Sequence, residues 1–149
     1  MYRDIEEFLI KTKGKKVVFT NGCFDIIHRG HVSYLNEAKS LGDILVLGLN
    51  SDRSVKRLKG ESRPVNTEED RKFVLENLKS IDFVVIFEED TPYNLIQLLK
   101  PDVLVKGGDW KASDIIGSDI VLDLGGEVKS LNFIDGFSTT STIDKISKS

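Results

Sequence analysis

Residues 16–49 read KVVFTNGCFDIIHRGHVSYLNEAKSLGDILVLGL, and the order of patterns inside this stretch decides the fold. Residues 16–20 (KVVFT) and 44–49 (ILVLGL) are apolar on consecutive positions, as strands are when both faces of a parallel sheet are covered. Between them, residues 30–41 carry a helical pattern, and Gly42 is expected to end that helix as its C′ glycine. Strand, helix and strand make a βαβ unit, whose crossover is right-handed.

The alternation continues to the end of the chain. Residues 83–87 (FVVIF), 103–105 (VLV) and 128–131 (VKSL) read as three more strands. Asp4 with Glu7 predicts a capping box for a first helix, and Thr67 with Asp70 does the same ahead of RKFVLENLK. Thr91 followed by Pro92 opens YNLIQLLK, which Pro101 closes. The expected architecture is α/β: a Rossmann-like, doubly wound, mainly parallel five-stranded sheet with helices on both faces. Ligands of such sheets bind beyond the carboxyl ends of the strands.

With 149 residues, 40% hydrophobic and 30% charged, the chain suits one domain spanning 1–149. A net charge of −3 argues against a nucleic-acid partner, while leaving room for a locally positive pocket. A single cysteine makes no internal disulfide and points to a reducing, cytoplasmic setting. The first residues lack the apolar core of a signal peptide, and no run of 18 apolar residues suggests a membrane partner.

The chemistry is concentrated behind the strands. Residues 20–31, TNGCFDIIHRGH, hold both histidines and the only cysteine. His28 and His31 fall on one face of a helix start, where backbone N–H groups and the helix dipole favour an anion. The same dipole disfavours an imidazolium, so at least one histidine is expected to serve as a neutral N–H donor. Gly22 and Gly30 suit close approach of a ligand to the backbone. A surface coincidence and a zinc site using Cys23, Asp25, His28 and His31 remain as alternatives, although the spacing matches no closed four-ligand motif. Cys23 itself reads as a small buried apolar residue.

Behind the second strand, five Lys or Arg residues fall between Arg53 and Arg63, with Gly60 and Pro64 marking a loop. Lys59 as a point charge and Arg63 as a planar fork suit a triphosphate, and a solvated basic loop is the alternative. VKGGDWKA follows the fourth strand, and its adjacent glycines suit close backbone contact with a ligand. Lys106, Gly107 and Asp109 are the candidate contacts, with Asp109 placed to hold a ribose or sugar hydroxyl; an ordinary glycine turn with Trp110 in the core or at its rim is the alternative. NFIDGFSTTST follows the fifth, and Ser138, Thr139 and Thr140 beyond a glycine read as a second helix start lined with hydroxyls. Neither GxxxxGK[ST] nor GxGxxG is present, so the phosphates must be held in another way.

TNGCFDIIHRGHVSYL resembles the signature of the HxGH nucleotidyltransferases, and FSTTST resembles their second motif. Six blocks in order, from GCFDIIHRGHVSYL through NSD, RLKGESRPVN, FEEDTP and VKGGDW to NFIDGFSTT, look most like the adenylyltransferases that make ADP-heptose. The likeness runs from Gly14 onward. It implies transfer of AMP from ATP, with Mg²⁺, to heptose 1-phosphate, giving ADP-heptose and pyrophosphate for lipopolysaccharide core or related glycans. It implies that His28, His31 and Lys59 act on the phosphates, that Asn21, Gly22, Phe24 and Asp25 line the nucleotide site, that Asp109 lies near the ribose and that Ser138, Thr139 and Thr140 seat the β- and γ-phosphates. It also implies a sugar kinase, expected to be separate from this chain, and a homodimer as a possible assembly. Related cytidylyltransferases that activate glycerol 3-phosphate or phosphocholine carry an arginine where Phe133 stands, which favours ATP over CTP. Those enzymes, a flavin-nucleotide adenylyltransferase and a non-catalytic nucleotide sensor are the other readings.

The attacking group in such a reaction is a phosphate oxygen, already ionised at neutral pH. No general base is needed, and catalysis reduces to positioning and electrostatic stabilisation.

Overall fold

The computed structural model describes Tyr2 and residues 4–148; Met1, Arg3 and Ser149, part of the expected 1–149 domain, lie outside the described residues. Among the described residues the chain runs α1 (Ile5–Lys11), β1 (Val17–Gly22), α2 (Arg29–Lys39), β2 (Ile44–Asn50), α3 (Asp52–Lys59), α4 (Glu68–Glu76) and β3 (Phe83–Phe87). It continues with α5 (Tyr93–Leu99), β4 (Val103–Gly107), a 3₁₀ turn (Ala112–Asp114), α6 (Ser118–Asp123), β5 (Glu127–Leu131) and α7 (Thr139–Lys148). The five strands form one sheet in the order β3-β2-β1-β4-β5. Every pairing is parallel. The expected doubly wound α/β architecture is the one observed.

Strand residues divide between two cores by parity, as a pleat covered on both sides requires. Val18, Leu45, Leu47, Leu49, Val103 and Val105 pack with Leu35 and Ala38 of α2 and Leu75 of α4. Val17, Phe19, Val46 and Leu104 face the other side, against Phe8 of α1, Leu95, Ile96 and Leu99 of α5, and Val121 of α6. Full burial of each such side chain is worth about 1.5–3 kcal/mol relative to exposure. The strand order reverses direction between β1 and β4. These two strands pair only at Val18 with Val103 and Phe19 with Leu104, so their carboxyl ends diverge. The crevice between them is the switch point at which such sheets hold ligands.

Four local expectations are corrected. Asp4 does precede α1, but at φ 65° its side chain makes no capping bond; its carboxylate lies 4.0 Å from the Lys72 ammonium instead. The residue preceding α5 is Pro92, with no side-chain cap from Thr91. Gly42 is no left-handed helix terminator, since its φ is not positive. It is required because a Cβ there would stand 2.8 Å from the Lys16 carbonyl oxygen and 2.8 Å from Val18 Cγ2. Finally, the basic run expected as a loop is mostly the helix α3. Ser51 starts it by accepting from the Ser54 N–H, and only Ser54 and Val55 are buried in it. Thr67 caps α4 as expected, accepting from the Asp70 N–H at 3.3 Å.

Candidate active site

The crevice between β1 and β4 opens into a cavity of about 710 Å³, well within the size range of small-molecule sites. The strand ends contribute Asn21 and Gly22 from β1 and Lys106 from β4, while α3 contributes Lys59.

α2 begins in an unusual way. His28 is its N-cap in extended backbone, and the two histidines cap each other: His31 donates its backbone N–H to Nδ1 of His28, and His28 donates its own to Nδ1 of His31, each at 3.4 Å. Serine, threonine or a carboxylate usually does this work. With Nδ1 committed as an acceptor, each neutral ring carries its proton on Nε2. The rings stack with centroids 3.8 Å apart. Burial lowers the His28 pKa. Burial and the neighbouring His28 pull His31 down to about 4. Both shifts favour the neutral imidazole, in which Nε2 carries the proton. Nε2 of His28 is buried and has no hydrogen-bond partner. A buried donor left unsatisfied costs about 1–3 kcal/mol, which a ligand oxygen would recover.

Gly30 lies within the first turn of α2 and is buried. It does not line the cavity. A Cβ there would come within 3.0 Å of the His28 ring and 3.1 Å of Phe137 Cβ, so it makes room for those side chains rather than for a ligand.

The second motif converges on the first. Thr139 Oγ1 donates to the Ile26 carbonyl at 3.1 Å, and the Phe137 ring faces that of His28 with centroids 6.1 Å apart and planes inclined by 26°. Ser138, Thr139 and Thr140 all line the same cavity. Two helix starts, those of α2 and α7, thus meet at one place. Each end contributes roughly half a positive charge.

Lys59, Arg63 and Lys106 add formal positive charge to the wall. Burial lowers the Lys106 ammonium below its ordinary value, with the nearby Lys59 charge adding to the effect. Arg63 donates Nε to Asp25 at 3.1 Å, which leaves its terminal amino groups for other partners. Asp25 does not line the cavity. Its buried carboxylate also accepts from the backbone N–H groups of Val65 at 2.7 Å and Asn66 at 2.9 Å. Burial would raise this carboxyl, but those N–H groups and the guanidinium more than offset it and hold it below the ordinary value. Asp25 is the clasp for the Arg63 loop.

Phe24 lines the cavity. Gly107 and Asp109 do not. The Phe133 ring lies over Gly107 so closely that a Cβ would meet it at 2.3 Å, and Asp109 is exposed to solvent. The Cys23 thiol is raised by burial, partly offset by Lys59, Arg71 and Arg63, so the thiol stays protonated. Among the described residues no three His, Cys, Asp or Glu side chains stand together as a metal site.

The cavity also includes Tyr34, Asn50, Thr91, Trp110, Asp114 and Phe137, which sequence reasoning did not assign. For Asn50 the available signal was its place at the carboxyl end of β2, and for Thr91 its place in the turn between β3 and α5. Trp110 donates Nε1 to the Gly107 carbonyl at 3.0 Å, and the Lys106 ammonium stands 5.6 Å from its ring centroid.

Residues 19–139 match the family model described as cytidylyltransferase-like. The bifunctional protein HldE of Aliarcobacter butzleri is 58% identical over 147 residues, covering 97% of this chain and 30% of that protein. The HldE of Geobacter metallireducens is 60% identical over 136 residues, covering 91% and 28%. The chain thus spans less than a third of the length of these curated relatives. Among solved structures, the lipopolysaccharide core biosynthesis protein of Thermoplasma volcanium GSS1 matches with a TM-score of 0.66 at 31% identity, over 81% of this chain and 98% of that one. The family match runs from the middle of β1 to the first residue of α7, through every element that frames the cavity, and the chain belongs to the cytidylyltransferase-like family.

Proposed function

We propose that this chain is one catalytic domain that transfers AMP from ATP to a sugar 1-phosphate, namely heptose 1-phosphate, and releases pyrophosphate. The observation that carries the reading is the unpartnered, buried Nε2 donor of His28, set where the α2 and α7 starts meet. The motif resemblance and the HldE relatives support the adenylyl group and the heptose.

In this reading a sugar-phosphate oxygen attacks the α-phosphorus, a new P–O bond forms, and the bond to the β-phosphate bridging oxygen breaks. The two imidazoles, neutral and with Nδ1 occupied, are donors to phosphate oxygens and not bases. Lys59 and Arg63 offset the charge of nucleotide and acceptor; Ser138, Thr139 and Thr140 seat the departing pyrophosphate. Such groups act by electrostatic stabilisation, where a single well-placed donor is typically worth about 10²–10³ in rate. The cavity carboxylates are Asp114 and Asp90, the latter bonded to Arg57 at 2.7 Å. That donor set suits a Mg²⁺ that arrives with the triphosphate, where it would neutralise phosphate charge. Lys106 belongs to the same charge set. The acceptor is made by a sugar kinase activity, and the work takes place in the cytoplasm, where ATP is available; no helix among the described residues is long and apolar enough to cross a membrane. Pairing of two copies is part of this reading, and sedimentation velocity measures it.

Pyrophosphate release with ATP and with CTP, across heptose 1-phosphate, glycerol 3-phosphate, phosphocholine and flavin mononucleotide, tests the assignment. Turnover confined to ATP with the sugar phosphate is the expected result. Preference for CTP or for another acceptor overturns the substrate, and nucleotide binding without turnover overturns the enzyme.

A further inference from the structure

Arg71 lies in the first half of α4 with its side chain wholly buried. A buried guanidinium is costly unless its donors are paired, and here they are paired with four acceptors on three segments of the chain. Nε donates to the Asn66 carbonyl at 3.0 Å. Nη1 donates to the Cys23 carbonyl at 2.7 Å and the Asn50 carbonyl at 2.8 Å. Nη2 donates to Asp52 Oδ1 at 2.9 Å. Arg71 does not line the cavity. Each acceptor is instead the root of something that does: Cys23 begins the loop to His28, Asn50 ends β2, Asp52 begins the helix that carries Lys59, and Asn66 closes the loop that carries Arg63.

Only one of the four contacts is an ion pair; the other three are to backbone carbonyls. An arginine used only to balance charge does not need that arrangement. A planar fork set among carbonyls fixes directions and distances, which a lysine ammonium on a flexible stem does not. α4 adds a second strap to the same place, since the Glu68 carboxylate accepts from the Asp52 N–H at 3.0 Å.

We propose that Arg71 is a positioning residue that sets Lys59 and Arg63 in register with the histidine pair. The inference rests on the nucleotide reading of the cavity. Misplacement of a reacting group by about 1 Å costs on the order of 10²-fold, and a loss of that size is expected in kcat/KM for Arg71→Lys.

The test is a double-mutant cycle read in two ways, by ATP affinity from calorimetry and by kcat/KM. Arg71→Lys is measured in the wild type and in the Lys59→Ala/Arg63→Ala background. If Arg71 acts through those two side chains, its substitution costs at least ten times less in that background. Equal costs in both backgrounds, or wild-type values for Arg71→Lys, overturn the assignment. Should Arg71→Lys not fold, Asp52→Asn removes one partner at a part-exposed position, and the same cycle with it should show a several-fold loss that shrinks in the double-alanine background. A loss that does not shrink there overturns the role. Absence of ATP binding by the wild type overturns the nucleotide reading itself and this role with it.

Discussion

Thr139 and Ile26, 113 residues apart in the chain, are joined by a hydrogen bond of 3.1 Å from hydroxyl to carbonyl. The bond fixes the start of α7 against the loop that leads into α2. Replacing Thr139 by Val keeps the shape and removes the donor. The expected outcome is a loss of about 1 kcal/mol, seen as a fall in Tm of about 2–4 °C for a chain of this size. Nucleotide affinity should fall with it, because the two helix starts are no longer held in one arrangement; calorimetry measures that.

His28→Ala and His31→Ala each remove a cap as well as a donor. The capping contacts are long at 3.4 Å, so the stability cost should sit near the low end of the capping range, about 0.5–1 kcal/mol. Turnover should fall by about 10²–10³, with ATP affinity changed far less. Steady-state kinetics beside thermal melts separate the two effects. A variant with near-normal turnover would remove that histidine from the chemistry.

Acid should act through the same pair. His31 binds protons more weakly in the folded chain, with a pKa of about 4, than the ordinary 6.5 of an unfolded one. Below 6.5 the unfolded chain takes up the proton first, so stability rises with pH across this window. The contribution is whole above 6.5 and is lost as the pH falls to about 4. The drop in Tm between pH 7 and pH 5 should therefore shrink in His31→Ala. An unchanged drop would place the titrating group elsewhere.

Asp25→Ala should be the most damaging of these changes. It leaves the N–H groups of Val65 and Asn66 without their acceptor and Arg63 without its partner. Removing one member of a buried pair costs about 3–5 kcal/mol. Arg63→Ala should cost less, because Asp25 then keeps two backbone donors. Urea unfolding of both variants measures the difference.

Strands β1 to β4 could be read from the chain because helices cover them on both sides and continuous apolar runs announce that condition; β5 is an edge strand in which only Leu131 is buried. α3 escaped for the opposite reason. DRSVKRLK buries only Ser54 and Val55, so its helical face left no apolar stripe to find. The two histidine-bearing and hydroxyl-bearing motifs were visible as residue types at strand ends, but their mutual capping was not, since an imidazole is an uncommon N-cap. Asp25 and Arg71 were hardest. Asp25 sits inside the motif and points away from the cavity to secure a loop forty residues on. Arg71 reaches back 48 residues to Cys23. Its one local sign was an arginine one helical turn before Leu75 on the inward face of α4. Gly42 was singled out for the right position and the wrong cause, because the backbone of β1 beside it is far away in sequence.

α7 contributes no buried residue among those described, yet its first turn forms one jaw of the cavity. An element so lightly held by hydrocarbon depends on polar ties such as the Thr139–Ile26 bond, and on the proposed function a bound triphosphate would add to them. On that function, proteases should clip α7 readily in the free protein and slowly with ATP bound, and equal rates would show that the nucleotide does not hold it.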